Sequence, residues 1–173
     1  MRKNIFVVSI LFCLFSCKEE PKVVQQEKKE TFRVALDLIV KADDSLQLFY
    51  CEEGEQDYDG VKTVWAPIKG KETSQEVKFE LPEDAMPTKI RIDFGVNKQQ
   101  QPIEVKKFTM NYYDKSFQIK DTMFYQYFIP SHQIEWDRKK AVATLKPTNG
   151  ETYDPAFRSR TSLEVELAKM FKN

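Results

Sequence analysis

Histidine, cysteine and glycine are all scarce in this chain of 173 residues. It has one histidine, three cysteines and five glycines, and its 27 lysines and arginines balance 27 aspartates and glutamates. A single histidine excludes metal sites that need several imidazole ligands and leaves little basis for histidine-dependent catalysis. The balanced charge lacks the basic excess that binding to a phosphate backbone requires, so we predict no nucleic-acid partner.

The motifs of several common enzyme classes are missing as well. The chain contains no Gly-x-Ser-x-Gly elbow, no phosphate-binding loop and no dinucleotide-binding glycine pattern. The acidic segment 52–60 fails the spacing of a helix-loop-helix calcium site, because the twelfth position counted from Asp57 is Ile68 instead of a glutamate. We predict no catalytic residues, no metal and no cofactor. A hydrolase with two carboxylates stays open as a third possibility, since their separation in space decides that chemistry.

The first 16 residues are predicted to be a secretory signal peptide. Arg2 and Lys3 precede an apolar run from Ile5 to Phe15, which is about half the length that a membrane-spanning helix needs. The segment Leu14-Phe15-Ser16-Cys17 resembles a bacterial lipobox. This resemblance implies cleavage before Cys17 and lipidation of that cysteine. The alternative is an ordinary signal peptide followed by an incidental cysteine.

The residues after Cys17 carry a second predicted address. Lys18, Glu19 and Glu20 resemble the short signal that sends lipoproteins of Bacteroidota to the outer face of the outer membrane. The alternative is the solvated start of a spacer. Residues 17–31 are predicted to be the lipidated cysteine and a flexible tether, because they contain no aromatic residue and few apolar ones. Several acyl chains on Cys17 would attach the protein stably to the membrane.

Residues 32–173 are long enough to form one self-sufficient domain. Six of the basic and four of the acidic residues precede Phe32, so this domain carries a net charge of minus two. Cys13 would leave with the signal and Cys17 would be lipidated. Cys51 therefore has no disulfide partner within the chain and is predicted to be a buried apolar residue.

Apolar residues alternate with polar ones in most of the domain, which predicts strands. The pattern runs through Phe32–Val40, Val77–Leu81, Ile90–Phe94 and Ile103–Tyr112. A break in phase at Lys106-Lys107 indicates a β-bulge. Many short strands separated by turn-forming residues predict an all-β fold, namely an antiparallel β-sandwich or jelly roll.

Two short segments are candidates for helices. Thr161-Ser162-Leu163-Glu164 has the spacing of a capping box. Leu163, Leu167, Met170 and Phe171 would then share one helical face, although the same stretch also alternates like a final strand. A single helical turn is predicted from Asp121 to Phe124.

Three segments carry a family resemblance: Val40–Tyr50, Lys89–Gly95 and Tyr127–Pro130. Taken in order, they resemble the β-sandwich, carbohydrate-binding-module-like domains that are attached to bacterial membrane glycosyltransferases and cell-surface proteins. The resemblance implies the same fold and a sugar-binding role. It transfers no binding residues, because these vary from one such domain to another.

Four aromatic residues are the candidate ligand-binding residues: Tyr58, Trp65, Tyr113 and Trp136. Neighbours on a strand point to opposite faces, so the many aromatic residues of this chain cannot all enter one core. Exposed tyrosine and tryptophan planes can stack against sugar rings, whereas ordinary packing is the alternative for each of them.

The functional prediction is a non-catalytic, glycan-binding lipoprotein of the outer membrane, exposed on the cell surface. The alternative is a structural or assembly subunit that binds a protein partner in an outer-membrane complex. A polar-rimmed groove around the candidate residues would favour glycan, whereas a flat apolar patch would favour protein.

Overall fold

The computed structural model describes residues 30–172, which form two antiparallel sheets packed face to face. The predictions for the signal peptide 1–16, for Cys17, Lys18, Glu19 and Glu20, and for the tether up to residue 29 lie outside the described residues. No helix between residues 30 and 172 is long and apolar enough to cross a bilayer. The predicted all-β sandwich with a short C-terminal helix is confirmed.

The strands of the described chain are short, and each pairs only with antiparallel neighbours. In chain order they are β1 (Arg33–Ile39), β2 (Asp44–Cys51), β3 (Thr63–Ile68), β4 (Gln75–Glu80), β5 (Lys89–Asp93), β6 (Ile103–Tyr112), β7 (Lys115–Lys120), β8 (Phe128–Pro130), β9 (Ile134–Asp137), β10 (Val142–Leu145) and β11 (Ala156–Ser159). The six-stranded sheet has the order β4-β1-β6-β10-β9, with β7 also paired to β6. The five-stranded sheet has the order β3-β2-β5-β11-β8.

The core lies between the two sheets and is filled by the apolar half of each alternating pattern. Along β1, the side chains of Val34, Leu36 and Leu38 are fully buried, whereas the residues between them are half-buried on the outer face. Phe124 and Phe128 stack at 4.3 Å between ring centroids near the middle of an aromatic cluster. Burial of these side chains is the main stabilising contribution to the fold.

The predicted β-bulge lies in the long strand β6. The pairing of β1 with β6 shifts between Asp37 and Leu38, which face Lys107 and Val105, so Lys106 has no partner on β1. The extra residue restores the inward direction of Phe108 and Met110 after the lysine pair.

The helical segments are short. A 3-10 turn (Asp121–Met123) leads into α1 (Phe124–Tyr127), and α2 (Thr161–Met170) ends the domain. The prediction of a capping box is wrong: α2 begins at Thr161 with Arg160 at the N-cap and no capping side-chain bond. Instead, Ser162 Oγ donates to the carbonyl oxygen of Gln126 at 2.6 Å, which fastens the start of α2 to α1.

The described chain begins beside the C-terminal end of α2. Phe32 is fully buried, and its ring lies 5.5 Å from Phe171 and 6.2 Å from Tyr112. Thr31 Oγ1 donates to Glu80 at 2.6 Å. We call this end of the sandwich, which includes the β6–β7 turn, the tether end.

Candidate functional site

Outward-facing side chains form two rows across the five-stranded sheet. In the first row, Phe49 of β2 lies opposite Arg91 of β5, which lies opposite Arg158 of β11. In the second row, Trp65 of β3 lies opposite Gln47, which lies opposite Asp93. The strand register therefore brings aromatic, amide and charged side chains together on one face, although they are far apart in sequence.

Arg91 is the centre of a charged cluster on this face. Its Nε and Nη2 donate to the carboxylate of Asp93 at 2.7 and 2.9 Å, and Nη2 also donates to Asp154. The guanidinium carbon lies 5.1 Å from the centre of the Phe49 ring. The residues directly opposite Arg91 on the adjacent strands are Phe49 and Arg158, so its bidentate partner Asp93 lies on its own strand.

The Asp93 carboxyl group has an unusual pKa, which is raised to about 6. Burial is the largest cause, since only 16% of the side chain is exposed. The adjacent Asp154 carboxylate raises the pKa further, while Arg91 opposes both effects. This cluster can therefore take up a proton in mildly acidic solution.

A groove of about 330 Å³ lies beside this cluster, between the loop 52–62, the strand β11 and the start of α2. We call it the sheet-face groove. Tyr58 forms part of its wall, and burial raises the pKa of the Tyr58 hydroxyl although a hydrogen bond with Ser159 opposes this. The exposed side chain of Ile129 provides an apolar part of the lining.

The loop 52–62 holds Tyr58 in place through its own ion pairs. Lys62 Nζ donates to Glu52 at 2.6 Å and to Glu55 at 2.5 Å, and these bonds raise the pKa of Lys62. Asp59 accepts bonds from two backbone amides of the same loop, at 3.0 Å each. Most of the acidic side chains of the loop are thus used for its internal structure.

Four charged side chains of the sheet-face groove make no ion pair with any residue between 30 and 172. Two are cations, Lys89 and Arg158, and two are acids, Asp57 and Glu164. Unpaired groups of both signs can accept bonds from, and donate bonds to, a ligand that carries hydroxyl groups.

The structure brings only Tyr58 and Trp65 to this face. Trp65 is 53% exposed on the edge strand β3, and its neighbour Gln47 is fixed by a bond from Nε2 to Thr63 Oγ1 at 2.8 Å. Two strand spacings of about 4.8 Å separate β3 from β5, whose residues Lys89 and Arg91 line the near side of the groove, so Trp65 lies roughly 10 Å from the groove.

Tyr113 and Trp136 lie elsewhere. Tyr113 is exposed in the β6–β7 turn at the tether end, with its ring edge-to-face against Tyr112 at 4.7 Å. Trp136 of β9 packs against the core, with its ring centre 5.8 Å from Phe124 and 5.5 Å from Phe157. The proposed site therefore uses neither residue.

The cluster does not have the geometry of a two-carboxylate glycosidase. Asp93 and Asp154 share one guanidinium and lie within hydrogen-bonding distance of each other, whereas hydrolysis with retention or inversion needs carboxyl groups about 5 to 9.5 Å apart. In the part of the chain that the structure describes, no group of three or more histidine, cysteine, aspartate or glutamate side chains could hold a metal ion.

Sequence analysis missed most of the polar residues of this site. Arg91 and Asp93 alternate with the apolar residues of the predicted strand Ile90–Phe94, which indicates a polar face, but Asp154, Arg158 and Lys89 gave no signal of their own. Their convergence depends on the pairing of β5 with β11, which joins segments more than 60 residues apart.

No family model matches the chain, and no curated protein or solved structure matches it either. The resemblance to carbohydrate-binding-module-like domains therefore stays a prediction.

Proposed function

We propose that this protein is a non-catalytic, glycan-binding lipoprotein of the outer membrane, displayed on the cell surface. The observation that carries the proposal is the outer face of the five-stranded sheet, where an exposed Trp65 shares one surface with a polar groove walled by Tyr58. Sequence analysis named both residues as candidates, and a polar-rimmed groove is the arrangement that favours glycan over a protein partner.

The sheet-face groove supplies both hydrogen-bond donors and hydrogen-bond acceptors for the hydroxyl groups of a sugar. Lys89 and Arg158 can donate hydrogen bonds to sugar oxygens, and Glu164 can accept them from sugar hydroxyls. Trp65 offers a flat apolar surface for a sugar ring about 10 Å away. A ligand that contacts both must be a chain of linked sugars, since a single ring is too small.

Membrane attachment and surface exposure are the parts of the proposal that follow from the N-terminal sequence. The lipobox ending at Cys17 supplies the anchor, and Lys18-Glu19-Glu20 supplies the address. The described domain contributes no spanning helix, which is compatible with attachment through lipid.

The alternative is an assembly subunit with a protein partner, and the exposed side chains of Met86 and Tyr113 at the tether end are the observation that favours it. That surface is a groove and not a flat patch. Glycan binding is therefore the function that we favour.

A glycan array tests the proposal with the complete protein in detergent. We expect binding to an oligosaccharide, and we expect Trp65→Ala and Arg158→Gln each to weaken it by about tenfold or more. Tyr113→Ala is the matched control, because it removes an equally exposed aromatic side chain outside the site. A silent array at millimolar protein concentration, together with a protein partner recovered from crosslinked membranes, would establish the assembly role instead.

A further inference from the structure

A second concavity lies at the tether end, next to the point where the described chain begins. It measures about 540 Å³, and its walls are mainly the apolar side chains of Met86, Tyr112, Tyr113, Met170 and Phe171. Met86 is 49% exposed and Tyr113 is 62% exposed. We call it the tether-end groove, and no residue between 30 and 172 fills it.

The backbone conformation of Tyr113 is unfavourable for a tyrosine, so the turn itself does not explain this residue. Tyr113 has a φ of 51°, in the left-handed region where glycine or asparagine fits best. A bulky residue is strained in this conformation. The turn would form more easily with glycine. The tyrosine that provides the aromatic wall of the groove therefore makes the turn less stable.

The chain outside the structure leaves from the rim of this groove. Phe32 packs on Tyr112 and Phe171, which are both lining residues, and Glu30 is two residues before it. Whatever precedes residue 30 must start at this place.

The preceding segment contains one short apolar stretch that can reach the groove. Between Cys17 and Glu30 the apolar residues are Pro21, Val23 and Val24, and the remainder are lysine, glutamate and glutamine. Glu30 is six positions after Val24, which allows a reach of about 20 Å when extended.

Charge is complementary as well. Lys22 precedes the two valines. Asp114 and Lys115 both line the groove, but Lys115 Nζ donates to the carbonyl oxygens of Lys169 and Lys172. Asp84 lies close enough to Tyr112 to raise the pKa of its hydroxyl. Neither aspartate forms an ion pair with another described residue.

We propose that the segment Pro21–Val24 docks in the tether-end groove, with its valines against Met86 and Tyr113 and with Lys22 beside the aspartates. The segment then binds to the domain in addition to acting as a spacer. This inference does not depend on which ligand the sheet-face groove binds. If Cys17 is lipidated, docking leaves only Lys18–Glu20 between the anchor and the domain.

A disulfide trap in the full chain tests this docking. Cys13 and Cys17 are replaced by serine, so the introduced cysteines and the buried Cys51 are the only thiols. We expect Val24→Cys with Met86→Cys to form an intramolecular disulfide about tenfold faster than Val24→Cys with Glu80→Cys. Glu80 is the matched control, because it is exposed and lies directly opposite Arg33 near the chain entry, but is not a lining residue of the groove.

Tyr113→Gly separates docking from folding. Glycine suits the left-handed backbone, so we expect the melting temperature to stay the same or rise, while the Val24–Met86 crosslinking rate falls to that of the Glu80 control. Equal rates for the two cysteine pairs in the parent chain would overturn the proposal. Protection of Met86→Cys from a maleimide only on lipid vesicles, or only at high protein concentration, would also overturn it, since the occupant would then be a membrane or a second copy.

Discussion

The Asp93 carboxyl group can still be protonated in mildly acidic solution, although it is buried and paired with Arg91. Its carboxylate is bidentate on Arg91, and such a partner alone would lower the pKa. The pKa is nevertheless raised to about 6, because the side chain is largely buried and because the Asp154 carboxylate lies beside it. One guanidinium shared between two carboxylates leaves this three-residue cluster with a net negative charge when both acids are ionised.

We expect the stability of the protein to depend on pH through Asp93. The folded pKa of about 6 exceeds the ordinary value of 3.8, so the folded state binds the proton more tightly. This contribution is fully present below pH 4 and is lost as the pH rises through 6. It amounts to about 3 kcal/mol at most.

Denaturant unfolding of the parent chain and of Asp93→Asn between pH 4 and pH 7 measures this effect. The parent chain should lose unfolding free energy between pH 4 and pH 7, and Asp93→Asn should not. Glu164→Gln, in the same groove, should keep the parent profile and serves as the control. Parallel profiles for the parent and Asp93→Asn would contradict the role of Asp93.

Among the elements, α2 closes the tether end of the core without contributing to either sheet. Its buried residues Leu163, Leu167 and Met170 are spaced at helical intervals, while Val165 on the opposite side is half-exposed. Arg160 fixes the start of the helix, because its Nε donates to the carbonyl oxygens of Tyr125 and Phe128 at 3.0 and 3.1 Å.

Truncation of one side chain on each face of α2 should give very different results. Leu167→Ala leaves a cavity in the core and should lower the unfolding free energy by about 2 to 5 kcal/mol. Val165→Ala on the exposed face should change it by less than about 0.5 kcal/mol. Thermal or denaturant unfolding measures both, and a small effect of Leu167→Ala would show that α2 is not part of the cooperative core.

The fold was more predictable from sequence than the site, for a physical reason. Alternation of apolar residues reports burial directly, so β1, the bulge in β6 and the apolar face of α2 could be predicted from local pattern. The site depends on which strands become neighbours. Arg158 and Asp154 meet Arg91 only through the β5–β11 pairing, and no local pattern encodes that pairing. Trp136 was ambiguous because its surroundings come from α1 and β11.

At the scale of the whole molecule, two concave surfaces have different characters. The sheet-face groove is lined mainly by charged and polar side chains, and the tether-end groove is lined mainly by apolar ones. The first suits a hydrated ligand, and the second suits a segment of protein chain. The proposed ligand binding and the proposed docking of Pro21–Val24 can therefore be tested separately.

We expect lipid attachment to depend on Cys17 alone. Cys17→Ser should abolish incorporation of a labelled fatty acid and should yield a product that a salt wash releases from membranes, because no other anchor is predicted. Cys13→Ser is the control and should keep the label. Retention of the Cys17→Ser protein in salt-washed membranes would contradict the lipoprotein assignment.

We expect surface exposure to depend on a different segment. Replacement of Lys18, Glu19 and Glu20 by alanine should leave lipidation intact and should move the protein behind the outer membrane. A membrane-impermeant label on intact cells measures this, and lysis of the same cells gives the total amount of protein. Unchanged labelling of intact cells would contradict the proposed address.

The thiol of Cys51 can be used to measure local opening of the folded protein around the end of β2. Its side chain is fully buried at the end of β2, where the loop 52–62 begins, and burial raises the pKa of its thiol. In the processed lipoprotein it would be the only free thiol. A thiol reagent can therefore react only when this part of the sandwich opens, and the reaction rate measures the free energy of that opening. Slower reaction in the presence of an oligosaccharide would show that the ligand closes the wall of the groove.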